Sequence, residues 1–285
     1  MEQTSQPKIL SGLVVRDALR ETLKETVSAF SVAPTLVIIQ VGEREDSNVY
    51  IKQKIKFGES VGVSVIHKKF IATIQRDELQ KEIDFCNEDP SVTAVVVQLP
   101  LPEHIDQDII ECILPEKDVD CLTKYHKTQL LKGGMYSSPA TAQAVLALLK
   151  YYEIPIRGKQ VVVVGRSILA GGPIAELLQL EGAKISVIHR QTVDPKSIAQ
   201  EADILVVAAG VPRLVTREWI DSAKQTVVID VGIHRTENGL VGDVDVESVA
   251  PFVSAISPVP GGVGPLTVAC LFEQVVRMHQ NPPVI

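Results

Sequence analysis

The sequence predicts an α/β protein of two domains, each built around a parallel β-sheet. The length of 285 residues is enough for about two domains. Short apolar runs of strand length alternate with amphipathic stretches of helix length along most of the chain. A stretch rich in glycine and serine, residues 132–141, separates this pattern into two sets. Because such alternation is typical of crossover connections, we expect parallel sheets covered by helices.

The first set of elements predicts a domain with three strands, which we assign to residues 1–140. The apolar runs predict strands at 34–42, 63–70 and 92–102. The amphipathic stretches predict a lysine-rich helix after the first strand and further helices at 76–89 and 106–114.

The second set predicts a doubly wound unit over residues 141–266. A helix is expected at 142–152, and a glycine turn after the first strand opens another helix. The strands are predicted at 159–167, 184–190, 202–210, 225–232 and 252–262. No strand follows the helical tail at 267–281, so we expect residues 267–285 to pack against the first domain.

Composition and charge argue against several classes of function. The net charge is −7 and no basic stripe occurs, so no nucleic-acid partner is expected. No apolar run approaches the ~18 residues of a membrane span, and the N-terminus lacks the pattern of a signal peptide. The four cysteines are scattered without metal-binding spacing. We therefore expect no membrane partner, no metal, and reduced thiols in the cytoplasm.

The lysine-rich helix places one of its three lysines on an apolar stripe. At ~100° per residue the stripe collects five residues: Ser47, Tyr50, Lys54, Phe57 and Val61. Lys52 and Lys56 point the other way, as solvated lysines do. An amine on an apolar face is desolvated, which favours its neutral form and suits proton exchange near neutral pH. Lys54 could instead extend its ammonium to solvent, and Tyr50 could simply pack in the core.

A glycine turn predicts a phosphate site at the start of the second domain. Gly165 ends a strand, and Gly171 with Pro173 opens a helix. Backbone N–H groups and the helix dipole at such a turn favour an anion. The turn could also be a plain strand-to-helix connection, but Arg166 and Ser167 within the loop favour phosphate binding.

The end of the next strand indicates which dinucleotide binds. In the usual NAD site an acidic residue here binds the ribose hydroxyls. This chain has His189 and Arg190 instead. A basic pair suits the extra phosphate on the ribose, so the sequence predicts NADP rather than NAD.

Together these motifs resemble one family, the bifunctional methylenetetrahydrofolate dehydrogenase/cyclohydrolases of the FolD type. The blocks occur in the family's order within residues 35–271: SNVYIKQK, VQLPLP, PEKDVDCL, VVVVGRSILAGGP, VIDVGIH, VGDVD and PVPGGVGPLTVACL. The resemblance implies an N-terminal three-layer α/β catalytic domain, a Rossmann-type domain, a C-terminal helix returning to the first domain, and a cleft between the domains. It also implies a homodimer formed through the Rossmann domain.

The resemblance assigns roles to residues of the first domain. Tyr50 and Lys54 match catalytic positions, Gln98 matches the residue that supports the lysine, and Tyr50 also matches a substrate-binding position. Asp120 matches the aspartate that binds the pterin of folate, whereas Asp118 is expected to be structural. Either aspartate could instead cap a helix.

Further site residues are implied on the second domain. The folate side includes Pro258, Pro260, Gly261 and Gly262 of PVPGGVGP, where glycine lets the backbone approach a flat ligand. The cofactor side comprises Gly165, Arg166, Ser167, Gly171, Pro173, His189, Arg190 and Ile233.

The chain departs from the family pattern at three places. Cys121 replaces a glycine, PATA replaces PCTP at 139–142, and HRQT stands where HSKT-like segments are common. The last departure bears on the cofactor, because mitochondrial relatives that prefer NAD also carry HR. Those relatives add phosphate and Mg²⁺ held by an acidic residue, and Glu181 lies near that position. NAD with both ions therefore stays open beside NADP.

Two further functions are compatible with the same scaffold. One is a monofunctional dehydrogenase, and the other is a non-catalytic NADP-binding paralogue. The retained Tyr50, Lys54 and Gln98 argue against both.

Overall fold

The computed structural model of the protein describes residues 6–134, 138–237 and 239–281. The strands are β1 (Lys8–Ile9), β2 (Thr35–Val41), β3 (Ser64–Phe70), β4 (Ala94–Val97), β5 (Gln160–Val164), β6 (Lys184–Ile188), β7 (Ile204–Val207), β8 (Val227–Asp230), β9 (His234–Thr236), β10 (Gly239–Val241) and β11 (Ala255–Ile256). The α-helices are α1 (Gly12–Ser28), α2 (Glu45–Val61), α3 (Arg76–Glu88), α4 (Lys124–Leu131), α5 (Ala140–Tyr151), α6 (Gly171–Leu180), α7 (Pro195–Gln200), α8 (Val246–Val249) and α9 (Val263–Gln280).

The chain divides into two compact units, each with its own parallel sheet. Among the described residues, 6–16 and 141–267 form the six-stranded unit, with strand order β1-β11-β8-β7-β5-β6. Residues 17–134, 138–140 and 268–281 form the three-stranded unit, with order β3-β2-β4. Two parallel sheets with covering helices confirm the predicted fold class.

The six-stranded unit carries its functional loops at one edge. β5 pairs with β6 on one side and β7 on the other, and β7 pairs in turn with β8, all in parallel. The carboxyl ends of these strands therefore meet at the same edge, where open α/β sheets bind ligands. The glycine turn follows β5 there, and His189 follows β6.

The first residues of the chain complete this sheet, although the sequence pattern predicts them in the first domain. Lys8 N–H donates to Ser254 O and Leu10 N–H to Ile256 O, each at 2.9 Å, which adds β1 beside β11. Two residues per strand give no local periodicity to detect. The pairing therefore depends on contacts between distant parts of the chain.

The three-stranded unit buries both faces of its central strand. Leu36 to Val41 of β2 are all buried, including Gln40, so the usual in–out alternation is absent. The last helix contributes to this core from its C-terminal part. The Phe272 ring lies 5.5 Å from the Phe57 ring between centroids, and Gly58 leaves room for Phe272 beside α2.

Several elements differ from the sequence prediction. The stretch 106–114 forms a short 3-10 helix at Gln107–Cys112 rather than an α-helix. The stretch 92–102 was predicted as a strand that runs into a proline-rich turn, and its strand part is β4, which ends at Val97 before Pro100 and Pro102. The helices α1, α4, α7 and α8 and the β9–β10 hairpin were not predicted. The glycine- and serine-rich stretch is described except for residues 135–137. Within the described residues, no helix combines the length and the apolar character needed to cross a bilayer.

Candidate active site

The three-stranded unit presents Lys54 from the middle of α2. Glycine ends this helix, since Gly62 adopts a left-handed φ of 82°. Phe57 and Val61 on the apolar stripe are buried, and Lys54 is half-buried. Lys52 and Lys56 are both exposed and so more open to solvent than Lys54, as the helical wheel predicts. The amine is therefore separated from the solvated side of the same helix.

Gln98 holds the Lys54 amine at the carboxyl end of β4. Lys54 Nζ donates to Gln98 Oε1 at 3.2 Å. The Gln98 amide nitrogen donates to the Leu99 carbonyl at 2.8 Å, which keeps Oε1 turned toward the lysine. The ammonium can only donate, so this orientation of the amide matches its partner. Lys54 thus contacts the polar side chain of Gln98, which argues against a lysine that merely extends to solvent.

Asp120 lies within the electrostatic reach of the same amine. Burial raises the pKa of Asp120, and the charge of Lys54 opposes that rise. Asp118 differs in its contacts, because its Oδ2 accepts the Thr123 N–H at 2.8 Å, and its side chain is fully buried whereas that of Asp120 is half-buried. This bond closes the turn that carries Asp120 and Cys121. The contact lies in the turn next to α4 and is compatible with the structural role predicted for Asp118, which stays a prediction.

The backbone at Cys121 adopts a conformation that favours glycine. Its φ is 54°, in the left-handed region that glycine adopts without strain. The thiol is buried, and burial raises the pKa of Cys121 well above its usual value. The departure from the family's glycine therefore places strain and an un-ionised thiol beside Asp120.

Tyr50 lies one turn before Lys54 on α2 and is 37% exposed. A chain of hydrogen bonds, which was not predicted from the sequence, holds the N-terminal end of α2. Buried Gln40, near the end of β2, donates from Nε2 to Asn48 Oδ1 at 2.8 Å and pairs through Oε1 with His67 at 2.9 Å. Burial and nearby Lys69 lower the pKa of His67, so the neutral ring donates to Gln40. Like Tyr50, the residues Lys54, Gln98 and Asp120 all belong to this unit.

The six-stranded unit has a cavity of about 620 Å³ at the carboxyl ends of its strands. The lining residues are Val164, Gly165, Arg166, Ser167, Ile188, His189, Arg190, Gln191, Thr192, Pro195, Ala208, Ala209, Val211, Leu214 and Trp219. Five predicted cofactor residues are therefore brought together here. Gln191 and Thr192 were not predicted although they directly follow Arg190 in the segment HRQT, whereas Leu214 and Trp219 reach the cavity only through the fold.

The glycine turn has no room for side chains at two of its positions. A Cβ on Gly165 would collide with the Ala208 carbonyl, and one on Gly171 with the Gly165 carbonyl. Gly165 also has a φ of 111°, which glycine alone adopts readily. Gly171 and Pro173 are buried at the start of α6, whereas Arg166 and Ser167 of the preceding loop are exposed. Such a cradle of backbone fits a phosphate-containing dinucleotide.

The charges around the cavity fit an additional phosphate. Arg166 and Arg190 are both exposed at its rim, and none of the described residues that line it is acidic. His189 is fixed by its own loop, since its Nδ1 accepts the Gln191 N–H at 3.2 Å and Thr192 Oγ1 accepts its backbone N–H at 2.9 Å. The imidazole is therefore held in place in the same lining as the two arginines.

Three groups of predicted residues do not line this cavity, and the first is Gly171 with Pro173 at the start of α6. Ile233 follows β8, is 43% exposed, and does not line the cavity. In the loop of residues 258–262, Gly261 has a φ of 104° and its carbonyl accepts the Gly12 N–H at 2.9 Å. A Cβ on Gly262 would approach the Pro258 carbonyl to 2.5 Å, so glycine is needed for this close turn. Pro260 follows a cis peptide bond.

Comparison with known proteins identifies the family. Residues 10–120 match the family described as tetrahydrofolate dehydrogenase/cyclohydrolase, catalytic domain, and residues 139–282 match its NAD(P)-binding domain. The chain belongs to the tetrahydrofolate dehydrogenase/cyclohydrolase family. The bifunctional protein FolD of Pelagibacter ubique is 39% identical over 268 residues, which cover 94% of this chain and 95% of that one.

Solved structures of the family agree with this assignment. The FolD methylenetetrahydrofolate dehydrogenase/cyclohydrolase of Campylobacter jejuni superposes with a TM-score of 0.93 and 38% identity, over 96% of this chain and 99% of that one. The Trypanosoma brucei enzyme, complexed with NADP cofactor and inhibitor, gives a TM-score of 0.90 and 36% identity over 97% and 98%. The resemblance inferred from the sequence is thereby confirmed. The individual residue roles stay predictions.

Proposed function

We propose that this protein oxidises 5,10-methylenetetrahydrofolate to 5,10-methenyltetrahydrofolate with NADP and hydrolyses the product to 10-formyltetrahydrofolate. The observation that carries the proposal is the contact of 3.2 Å between Lys54 and Gln98, with Asp120 within electrostatic reach. Family membership supports both reactions, and the glycine cradle supports the dinucleotide.

Lys54 transfers protons in the hydrolytic step. Water bonds through its oxygen to the carbon of the cationic methenyl group and releases one proton to solvent, which leaves a hydroxyl on that carbon. One carbon–nitrogen bond of the ring then breaks as the hydroxyl loses its proton to become the formyl carbonyl and the ring nitrogen gains a proton, so the whole step releases one proton. The Lys54 amine is half-buried and fixed by Gln98, so it can exchange a proton without reorienting. Asp120 binds the N–H groups of the pterin edge, and Tyr50 orients the folate ring. Positioning of this kind supplies much of the catalysis.

NADP, when bound, supplies the acceptor for the hydride of the dehydrogenase step. The protein's own contribution is to bind and orient it. The cradle of Gly165 and Gly171 would hold the phosphates that join the two nucleotides. Arg166 and Arg190 pair with the 2′-phosphate, where each charge-assisted hydrogen bond is worth roughly 1.5–3 kcal/mol.

The competing cofactor, NAD with Mg²⁺ and phosphate, needs an acidic residue beside the site. Glu181 is the candidate, but Lys150 Nζ contacts its Oε1 at 2.7 Å. Glu181 is the residue directly after α6, and Gly182 follows it with a φ of 90°. Its carboxylate is therefore engaged in an ion pair, which favours NADP without a metal.

Both parts of the proposal can be tested with the purified protein. NADPH formation from methylenetetrahydrofolate is followed by absorbance, and kcat/KM is compared for NADP and NAD in phosphate-free buffer with EDTA. We expect NADP to be preferred before and after Mg²⁺ and phosphate are added. NAD activity that requires both ions would overturn the cofactor assignment. Hydrolysis of methenyltetrahydrofolate, which needs no dinucleotide, tests the second activity separately.

We also propose a cytoplasmic homodimer that supplies one-carbon units for purine biosynthesis. The edge strand β6, where Val187 is 38% exposed, supports pairing through the nucleotide-binding domain. Light scattering coupled to size-exclusion chromatography tests it, since a monomer at micromolar concentration would contradict the dimer. We propose residues 17–140 with 267–285 as the catalytic domain and residues 141–266, together with the described residues 6–16, as the nucleotide-binding domain.

A further inference from the structure

Two of the sequence motifs, VIDVGIH and VGDVD, interlock through the carboxylate of Asp230. Asp230 Oδ1 accepts the N–H groups of Gly232 and Asp243, each at 3.0 Å. Asp230 Oδ2 accepts the Val244 N–H at 2.9 Å. A Cβ on Gly242 would collide with the Asp230 carboxylate. The loop after β8 and the segment after β10 are therefore locked together.

Asp243 extends this lock to the wall of the dinucleotide cavity. Its Oδ2 accepts the N–H groups of Ala209 at 2.6 Å and Gly210 at 2.8 Å. Ala209 lines the cavity, as do its neighbours Ala208 and Val211. The cavity wall after β7 is thus held by one oxygen of a fully buried carboxylate.

His234 holds the other oxygen of the same carboxylate. Its Nε2 lies 2.6 Å from Asp243 Oδ1, and the ring is 21% exposed at the side chain. Because a carboxylate only accepts, Nε2 donates this bond. Donors on both oxygens hold the Asp243 carboxylate against rotation, and one of these restraints is lost without His234. His234 also directly follows Ile233, which the family resemblance assigns to the cofactor.

We propose that His234 is a positioning residue for the dinucleotide, which acts through Asp243 to fix the cavity wall formed by residues 208–211. This inference rests on the proposed dinucleotide function of the six-stranded unit. The chain of contacts is His234 Nε2 to Asp243 Oδ1, then Asp243 Oδ2 to the backbone of Ala209 and Gly210. No contact between His234 and the dinucleotide itself is required.

The test compares His234→Ala with His234→Gln in the full-length protein. Alanine removes the donor, and glutamine restores an N–H group at a similar reach. Arg235→Gln is the matched control, since Arg235 is the next residue of β9 and is exposed. The Kd for NADP is measured by calorimetry, and kcat and KM are measured for both activities. Circular dichroism and thermal unfolding report on folding.

We expect His234→Ala to raise the Kd and KM for NADP about tenfold, which corresponds to about 1.4 kcal/mol. His234→Gln should recover most of this loss, and Arg235→Gln should match the wild type. Hydrolysis of methenyltetrahydrofolate should change less than about twofold in all three variants, because it uses Lys54 and Gln98 in the three-stranded unit. Loss of a general acid–base group from that site would instead lower hydrolysis ~10²-fold.

Three results would overturn the inference. The Kd for NADP could be unchanged in His234→Ala, glutamine could give no recovery, or hydrolysis could fall in parallel with dinucleotide binding. The last would make His234 a residue of general stability. Failure of the proposed function looks different, because the wild-type protein would then neither bind NADP nor reduce it.

Discussion

Replacing Lys54 with methionine removes the amine and keeps most of the side chain's bulk. The lost group is a half-buried donor held at 3.2 Å from Gln98 Oε1. If this amine transfers the proton in hydrolysis, its loss should lower kcat for methenyltetrahydrofolate by at least ~10²-fold, the range for a general acid–base group. That reduction equals about 2.7 kcal/mol in the activation free energy. Formation of NADPH should fall less, since hydride transfer depends mainly on positioning.

Folding should survive this substitution. The substitution removes the charge-assisted hydrogen bond from Lys54 to Gln98, worth roughly 1.5–3 kcal/mol, but it also removes the cost of desolvating the ammonium on the apolar stripe. We expect the free energy of unfolding to change by less than ~1 kcal/mol. Thermal unfolding checks this point before kinetics are compared.

The neighbouring lysines provide the controls for this experiment. Lys52→Met and Lys56→Met make the same chemical change at positions of the same helix that lie off the apolar stripe, so both should retain nearly full hydrolysis. Initial rates of methenyltetrahydrofolate loss are measured for all three variants, with the uncatalysed rate subtracted. Equal rates in the three variants would refute the assignment of Lys54.

Four further predictions follow from the geometry of the two units. Asp120→Ala should weaken folate binding far more than NADP binding, and equal losses in calorimetric titrations would point to a structural aspartate. Arg190→Ser should raise the KM for NADP at least ~10-fold and leave the KM for NAD unchanged. The control Lys184→Ser removes an exposed charge on β6 and should alter neither KM. A parallel change for both dinucleotides would contradict the pairing of Arg190 with the 2′-phosphate. Cys121→Gly should be more stable than Cys121→Ala by ~1 kcal/mol, because a φ of 54° strains alanine but not glycine, and the reverse order in denaturant titrations would contradict that strain. Burial raises the pKa of Asp230 from 3.8 to about 6, so the native state binds this proton more tightly than the unfolded state does. The free energy of unfolding of the wild type, relative to that of Asp230→Asn, should therefore fall by up to ~3 kcal/mol as the pH rises from ~4 to ~7. A constant difference across that range would contradict the shift.

Local signals account for the parts of the structure that the sequence predicted. The wheel position of Lys54 depends on residues within four turns of one helix, and the cradle of Gly165 and Gly171 on a single strand–turn–helix. Both features could be predicted because they depend on local properties of the chain, namely the helical periodicity and the missing side chain of glycine. The helix α1 carries such a signal too, in buried Val15, Leu23 and Val27, although it was not predicted.

Contacts between distant segments account for most of what was missed. The pairing of β1 with β11 joins two-residue strands from opposite ends of the chain. The bond from His234 to Asp243 requires the β9–β10 hairpin, and the one from Asp243 to Ala209 requires β7 and β8 to be neighbours. The hairpin has a local signal that was overlooked, the Asn-Gly pair at 238–239, whereas no local pattern pairs Asp243 with Ala209 or β1 with β11. The motifs VIDVGIH and VGDVD could be recognised in the sequence, but their joint role could not.

Product analysis of one reaction mixture tests both proposed activities and the role of Lys54 most directly. Wild-type protein is incubated with methylenetetrahydrofolate and NADP, and NADPH, methenyltetrahydrofolate and 10-formyltetrahydrofolate are quantified over time; Lys54→Met is treated in the same way. We expect the wild type to form 10-formyltetrahydrofolate in proportion to NADPH, whereas Lys54→Met still forms NADPH but accumulates methenyltetrahydrofolate. Absence of NADPH with the wild type, or equal formation of 10-formyltetrahydrofolate by the two proteins, would contradict the proposed function.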